Sequence, residues 1–188
     1  MKKYELTSDT KVFDGVVLHR IKALISFGNI KIGDLGGWAE SEINLSQCGN
    51  AWVGENATVG GNSRISWNAR ICENSRISGS AIVSGNSRIS ENVIVSGNAI
   101  VSGNAIVSEN AMVGGNADYI VFKNWWSSGR YFTWTRSNNK WKVGCFFGSG
   151  EELIAKAYKD SEKSGREYER VVKYVESILK DENNKWHC

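Results

Sequence analysis

Residues 81–116 read AIVSGN SRISEN VIVSGN AIVSGN AIVSEN AMVGGN, a six-residue unit with a small residue, a variable one, Val or Ile, Gly or Ser, and a closing Asn at fixed phase. The pattern runs back through LSQCGN, AWVGEN, ATVGGN, SRISWN, ARICEN and SRISGS, so twelve units lie between Leu45 and Asn116. A two- or three-residue strand closed by a tight corner cannot bury its apolar side chain alone, so such units stack into a solenoid. Val53, Val59, Ile65, Ile71, Ile77, Val83, Ile89, Val95, Val101, Val107 and Val113 hold the β-branched position, suited to a short strand aimed at a shared interior. Ala or Ser holds the crowded small position from Ala51 onward, except at Val93. The closing Asn, replaced once by Ser80, is expected to take left-handed angles and to bond its own turn.

Outward positions eighteen residues apart fall into three columns: Ser46, Arg64, Ile82, Ile100; Trp52, Arg70, Arg88, Ile106; and Thr58, Arg76, Ile94, Met112. Ile82, Ile94, Ile100, Ile106 and Met112 form an apolar exterior that a bare monomer would not expose, so they are candidate oligomer contacts unless the C-terminal segment covers them. Arg64, Arg70, Arg76 and Arg88 are candidate anion or partner contacts, against the plainer reading of a solvated surface that keeps edges soluble.

Residues 1–44 read as an N-terminal β cap, with Asp14-Gly15 as a hairpin turn and Val17, His19, Ile21, Ala23 and Ile25 alternating as a half-buried strand would. Residues 45–117 are the repeat, and residues 118–188 a βββαα module. In that module Tyr119 to Trp125, Arg130 to Arg136 and Lys140 to Phe147 read as strands. Ser149 with Glu152 and Ser164 with Glu167 match capping boxes, and Tyr168, Val171, Val172, Val175 and Ile178 form an apolar stripe. The chain beyond about Asp181 reads as a frayed end.

The repeat resembles the hexapeptide-repeat family, and the resemblance implies a left-handed parallel β-helix of triangular section, three units per coil and about four coils. The flanks extend it. Phe13-x-Gly15, Leu18-x-Arg20-Ile21-x-Ala23-Leu24, Gly33-Asp34-Leu35-Gly36-Gly37-Trp38, and Gly144-Cys145-Phe146-Phe147-Gly148-Ser149 followed by Glu152-Leu153 are similar to motifs in phage and prophage hexapeptide proteins, often labelled polymer-forming cytoskeletal proteins. The resemblance implies a homo-oligomer, usually a trimer, and brings no established activity.

Net charge is +3 over 188 residues, far below a general nucleic-acid binder's excess. No apolar run is long enough for a membrane and the start MKKYELTSD has no hydrophobic signal core, so a cytoplasmic protein is expected. Cys48, Cys72, Cys145 and Cys188 lack metal-ligand spacing and read as reduced and mostly structural. Hexapeptide acyltransferases use a coil-borne histidine as general base, and this repeat has none; His19 lies in the cap and His187 near the chain end. No catalytic residue, metal or cofactor is expected.

In the C-terminal module Lys123, Trp125, Trp126, Arg130, Tyr131, Trp134, Arg136, Lys140, Trp141 and Lys142 interleave cations with rings. Such a surface stacks bases and neutralises phosphates, although some of the rings are needed as core between sheet and helices. Alternation puts Phe132 and Trp134 on the same face as Arg130 and Arg136. The expected function is a non-catalytic, oligomeric phage accessory protein that captures a nucleotide-like anionic signal or a host defence protein; the alternative is a plain self-associating scaffold.

Overall fold

The computed structural model describes residues 2–185. Strands β1 (Tyr4–Phe13), β2 (Val16–Ala23) and β3 (Leu35–Ala39) come first. Eleven two-residue strands follow, β4–β14: Trp52–Val53, Thr58–Val59, Arg64–Ile65, Arg70–Ile71, Arg76–Ile77, Ile82–Val83, Arg88–Ile89, Ile94–Val95, Ile100–Val101, Ile106–Val107 and Met112–Val113. Residues eighteen apart pair in parallel register, as Ile71 does with Ile89 and Val95 with Val113, giving a parallel β-solenoid of about four coils. Face I carries β1-β2-β3-β5-β8-β11-β14, face II β4-β7-β10-β13, and face III β6-β9-β12. Every inward Val or Ile and every Ala of the small position is almost wholly buried. Each inward side chain contributes about 1.5–3 kcal/mol by leaving water.

Adjacent coils are joined by outward-residue N–H groups donating to the next coil's carbonyls, as Arg88 does to Ala105 (2.9 Å). The asparagines add a second tie across coils rather than within their own turns. Asn50, Asn68, Asn86 and Asn104 form one amide ladder, and Asn74, Asn92 and Asn110 another, each Nδ2 donating to the next Oδ1 at 2.9–3.3 Å. At most corners the left-handed angle falls on the residue before Asn, as at Gly85 (φ +68°) and Glu73 (φ +57°). A ladder serves every coil with one residue type, whereas a turn bond would serve one.

The first repeat unit departs from the expected phase. Leu45, not Gln47, pairs with Ile65 and is buried, so Ser46 drops out of its column and Asn44 sits behind it, bonded to the Gly61 and Ser63 carbonyls. The two extra residues before Val53 bring Gln47 Oε1 to the backbone N–H groups of Lys3 (2.8 Å) and Tyr4 (3.3 Å). Lys3 Nζ donates to the Ala51 carbonyl (3.0 Å), and the Tyr4 hydroxyl donates to Leu45 (2.6 Å). The N-terminal end of the solenoid is thereby closed by side chains, as well as by β2 pairing antiparallel with β3.

Asp14 (φ +50°) and Gly15 (φ +79°) form the two-residue hairpin turn. The alternation in β2 does not run as read: Val17 is 48% exposed and Leu18 buried. A register shift between Arg20 and Lys22 then returns Ile21 and Ala23 to the core, because an irregular step moves side chains to the other face.

The C-terminal module has four strands rather than three: β15 (Tyr119–Lys123), β16 (Tyr131–Thr135), β17 (Lys140–Val143) and β18 (Phe146–Gly148), in antiparallel order. Gly144 at φ +57° splits the segment read as one strand into a hairpin. Helix α1 (Gly150–Asp160) starts at the expected Ser149–Glu152 capping box. Helix α2 (Glu162–Lys185) begins two residues before Ser164, whose N–H donates to Ser161 Oγ (3.1 Å); Glu167 pairs with Arg170 instead. The end read as frayed from about Asp181 is helical as far as Lys185, and residues 186–188, with His187 and Cys188, lie outside the described residues. No helix among the described residues is long and apolar enough to cross a membrane. Cys48 and Cys145 are exposed, so they support no core; Cys72 is partly buried.

Candidate anion-binding groove

Strand β16 divides the module. Phe132 and Trp134 point toward the helices and, with Trp126, Trp141, Leu153, Tyr168, Val172 and Val175, form a second core. Trp126 is 8% and Trp134 2% exposed, which withdraws both rings from any ligand-reading surface. Trp134 Nε1 donates to Asn139 Oδ1 (2.9 Å), as a buried indole requires. Lys123, Trp125, Arg130, Tyr131 and Arg136 remain exposed. The rings buried here could not be told from the rings exposed by their spacing, since Trp125 and Trp126 are neighbours and only their tertiary surroundings differ.

The other face of β16 meets the solenoid, with Thr133 accepting the Ile106 N–H at the end of face II (3.0 Å). That contact sets Tyr131 and Arg130 beside Arg88. A groove of about 270 Å³ results, lined by Arg88, Arg130, Tyr131, Asn86, Asn104 and Ile106 with the Gly144 turn. Lys123 Nζ stands 5.8 Å from the Tyr131 ring centroid. Among the described residues, neither arginine nor Lys123 has a carboxylate within ion-pair distance. Guanidinium groups pair bidentately with phosphate or carboxylate, the tyrosine offers a stacking face, and the amides of the ladder offer donors and acceptors.

The four solenoid arginines do not act together. Arg64 is exposed on face III, Arg70 lies beside Gly28, Arg76 lies under the N-terminal hairpin, and only Arg88 reaches the C-terminal module. The apolar exterior is likewise split. Ile94 and Ile106 are half-buried, lining clefts made by the two flanks, while Ile82 (37%), Ile100 (41%) and Met112 (56%) stay exposed. Asn86, Asn104 and Gly144 were not named as site residues from sequence. Their eighteen-residue column was readable for the two asparagines, but not that Arg130 would come to rest against it.

His19, on β2, places Nδ1 3.2 Å from the Thr7 carbonyl. Among the described residues no group of three or more His, Cys, Asp or Glu side chains is placed to hold a metal ion. Compared with protein-family models and with curated proteins, the chain matches none.

Proposed function

We propose that the protein is a non-catalytic binding protein that holds a phosphate-bearing, nucleotide-like ligand in the groove between solenoid and C-terminal module. Arg88 and Arg130 pair with phosphate, and Tyr131 stacks on the base. The observation that carries this reading is that two arginines from separate modules, without ion-pair partners among the described residues, line one groove with an exposed tyrosine. The resemblance of the flanking motifs to those of phage and prophage hexapeptide proteins is the ground for a counter-defence role, in which a nucleotide signal is sequestered. Ile82 and Ile100, stacked and exposed on face III, favour self-association, and the resemblance to hexapeptide-repeat proteins makes a trimer the expected assembly. Without a bound ligand the same surface fits a plain scaffold.

Calorimetric titration with ADP and with a cyclic dinucleotide tests the groove. Binding is expected to weaken at least about tenfold in the Arg88→Ala/Arg130→Ala double variant and to fall with added salt. Absence of binding to both probes, or equal binding by the double variant, overturns the reading. Turnover of either nucleotide overturns the non-catalytic part, and a monomer in native mass spectrometry overturns the assembly.

A further inference from the structure

A second, chemically different cleft lies between the β1–β2 hairpin and face I. The hairpin tip touches the solenoid through Phe13, whose ring lies under the Arg76 guanidinium (4.4 Å). A hollow opens on each side of that contact, and Phe13, Thr58 and Arg76 border both. The larger, about 370 Å³, has apolar walls from Val16 and Leu18 on the hairpin and Ile94 on the solenoid, and its lining also includes the carboxylates of Asp14 and Glu40. The smaller, about 180 Å³, is lined by Lys11, Phe13, Asn56, Thr58, Asn74 and Arg76, two cations and no carboxylate.

Positive charge is concentrated at the small hollow. Lys11 Nζ sits 4.6 Å and the Arg20 guanidinium 5.0 Å from the Trp38 ring centroid. Burial, and then Arg20 and Arg76, push the Lys11 ammonium below its usual range. The acids nearby do not neutralise the cluster. Both line the larger hollow rather than the small one: Asp14 lies 4.0 Å from Arg76 with a side chain 77% exposed, a geometry that contributes little in water, and Glu40 accepts the Gly61 N–H (2.6 Å).

We propose that this divided cleft binds an amphiphilic anion, with its carboxylate between Lys11 and Arg76 and its unbranched apolar tail in the larger hollow against Val16, Leu18 and Ile94. The larger hollow alone falls within the size range of small-molecule sites, which are mostly apolar with a few placed polar groups. An anion at the head position offsets the mutual repulsion of Lys11, Arg20 and Arg76, which an uncharged ligand leaves in place. The site shares no residue with the Arg88–Arg130 groove, so each stands or falls separately.

The test is calorimetric titration of the full chain with decanoate, using acetate and decanol as probes lacking tail and head. Decanoate is expected to saturate one site per chain, with acetate and decanol each at least about tenfold weaker. Arg76→Gln and Lys11→Gln are each expected to weaken decanoate about tenfold while leaving decanol unchanged. The Arg88→Ala/Arg130→Ala variant is expected to bind decanoate as the wild type does. No decanoate binding, equal affinity for acetate and decanoate, or undiminished affinity in both head-group variants overturns the proposal.

Discussion

Thr133 Oγ1 accepts the backbone N–H of Ile106 at 3.0 Å, replacing the carbonyl that another coil would have supplied. The same substitution occurs on the other two faces. Asn116 Oδ1 accepts the Ile100 N–H (2.8 Å), and Ser137 Oγ accepts the Met112 N–H (2.7 Å). Three side chains thus close the last coil, one per face, while the Tyr119 hydroxyl donates to the Ile100 carbonyl (2.8 Å). An open solenoid end is a row of unpaired groups that templates further strands, and this arrangement blunts it.

Thr133 is almost wholly buried, so Thr133→Val keeps its shape and removes only the acceptor. The stranded N–H is expected to cost about 1–3 kcal/mol. Denaturant melting reads the loss, and faster hydrogen exchange at the Ile106 amide assigns it. Unchanged exchange there would contradict the capping role.

Adjacent tryptophans should respond oppositely to truncation. Trp126, edge-on to Tyr168 at 5.1 Å, is core, and Trp126→Ala is expected to cost about 3–5 kcal/mol. Trp125 is 74% exposed, and Trp125→Ala is expected to stay within about 0.5 kcal/mol. Equal losses in thermal or chemical melts would refute the division of rings between core and surface.

Lys3 couples folding to alkaline pH. Burial is the main cause that lowers its ammonium from 10.5 to about 8, with Arg70 adding and Cys48 opposing. Between these values the unfolded chain keeps a proton the folded chain has released, so this residue makes stability rise with pH. Tyr4, buried beside Glu42 and pushed up from 10.0, acts in the opposite direction at higher pH, and the Cys72 thiol, pushed up from 9.0 chiefly by burial, opposes Lys3 within the window from about pH 8 to pH 10, so comparison with a Lys3 variant is what separates this residue's contribution. The denaturation midpoint of wild type relative to Lys3→Met should climb across that window; a flat difference would refute it.

The corners of the prism differ in what they admit. At Gly79, φ is +65° and an added Cβ would come 2.9 Å from the Gly97 backbone, so Gly79→Ala is expected to cost at least about 1 kcal/mol. Another corner carries Glu55, Glu73, Glu91 and Glu109 at φ +54° to +61°, a column of like charges in a conformation that favours glycine. Glu73→Gly is expected to stabilise by about 0.5–1 kcal/mol, the relieved strain exceeding glycine's added entropy cost. Chemical denaturation of both variants checks the contrast, and a destabilised Glu73→Gly would show that the glutamate makes a contribution beyond its backbone angle.

The solenoid was legible because its information is local and repeated. A six-residue phase names the inward residue of each coil, and any error in one unit is corrected by its neighbours. Where the period breaks, the reading broke with it: the extra residues before Val53 moved Leu45 inward, and the alternation of β2 changed face where its pairing with β1 and β3 shifts register, leaving Val17 outside. The asparagine ladder was missed for a related reason. The residue type was recognised, but a bond across coils looks like a turn bond when only one unit is considered.

By itself the sequence determined the stacked coils, the buried column of Val and Ile, the hairpin at Asp14-Gly15 and the cap at Ser149, because each follows from short-range periodicity and turn chemistry. Tertiary structure decided which arginine meets which ring. Arg76 and Phe13 are far apart in the chain and meet because the hairpin folds back over face I; Arg88 joins Arg130 and Tyr131 because Thr133 docks on Ile106. These are contacts between modules, set by the angle at which one packs on the next, and no local pattern encodes that angle.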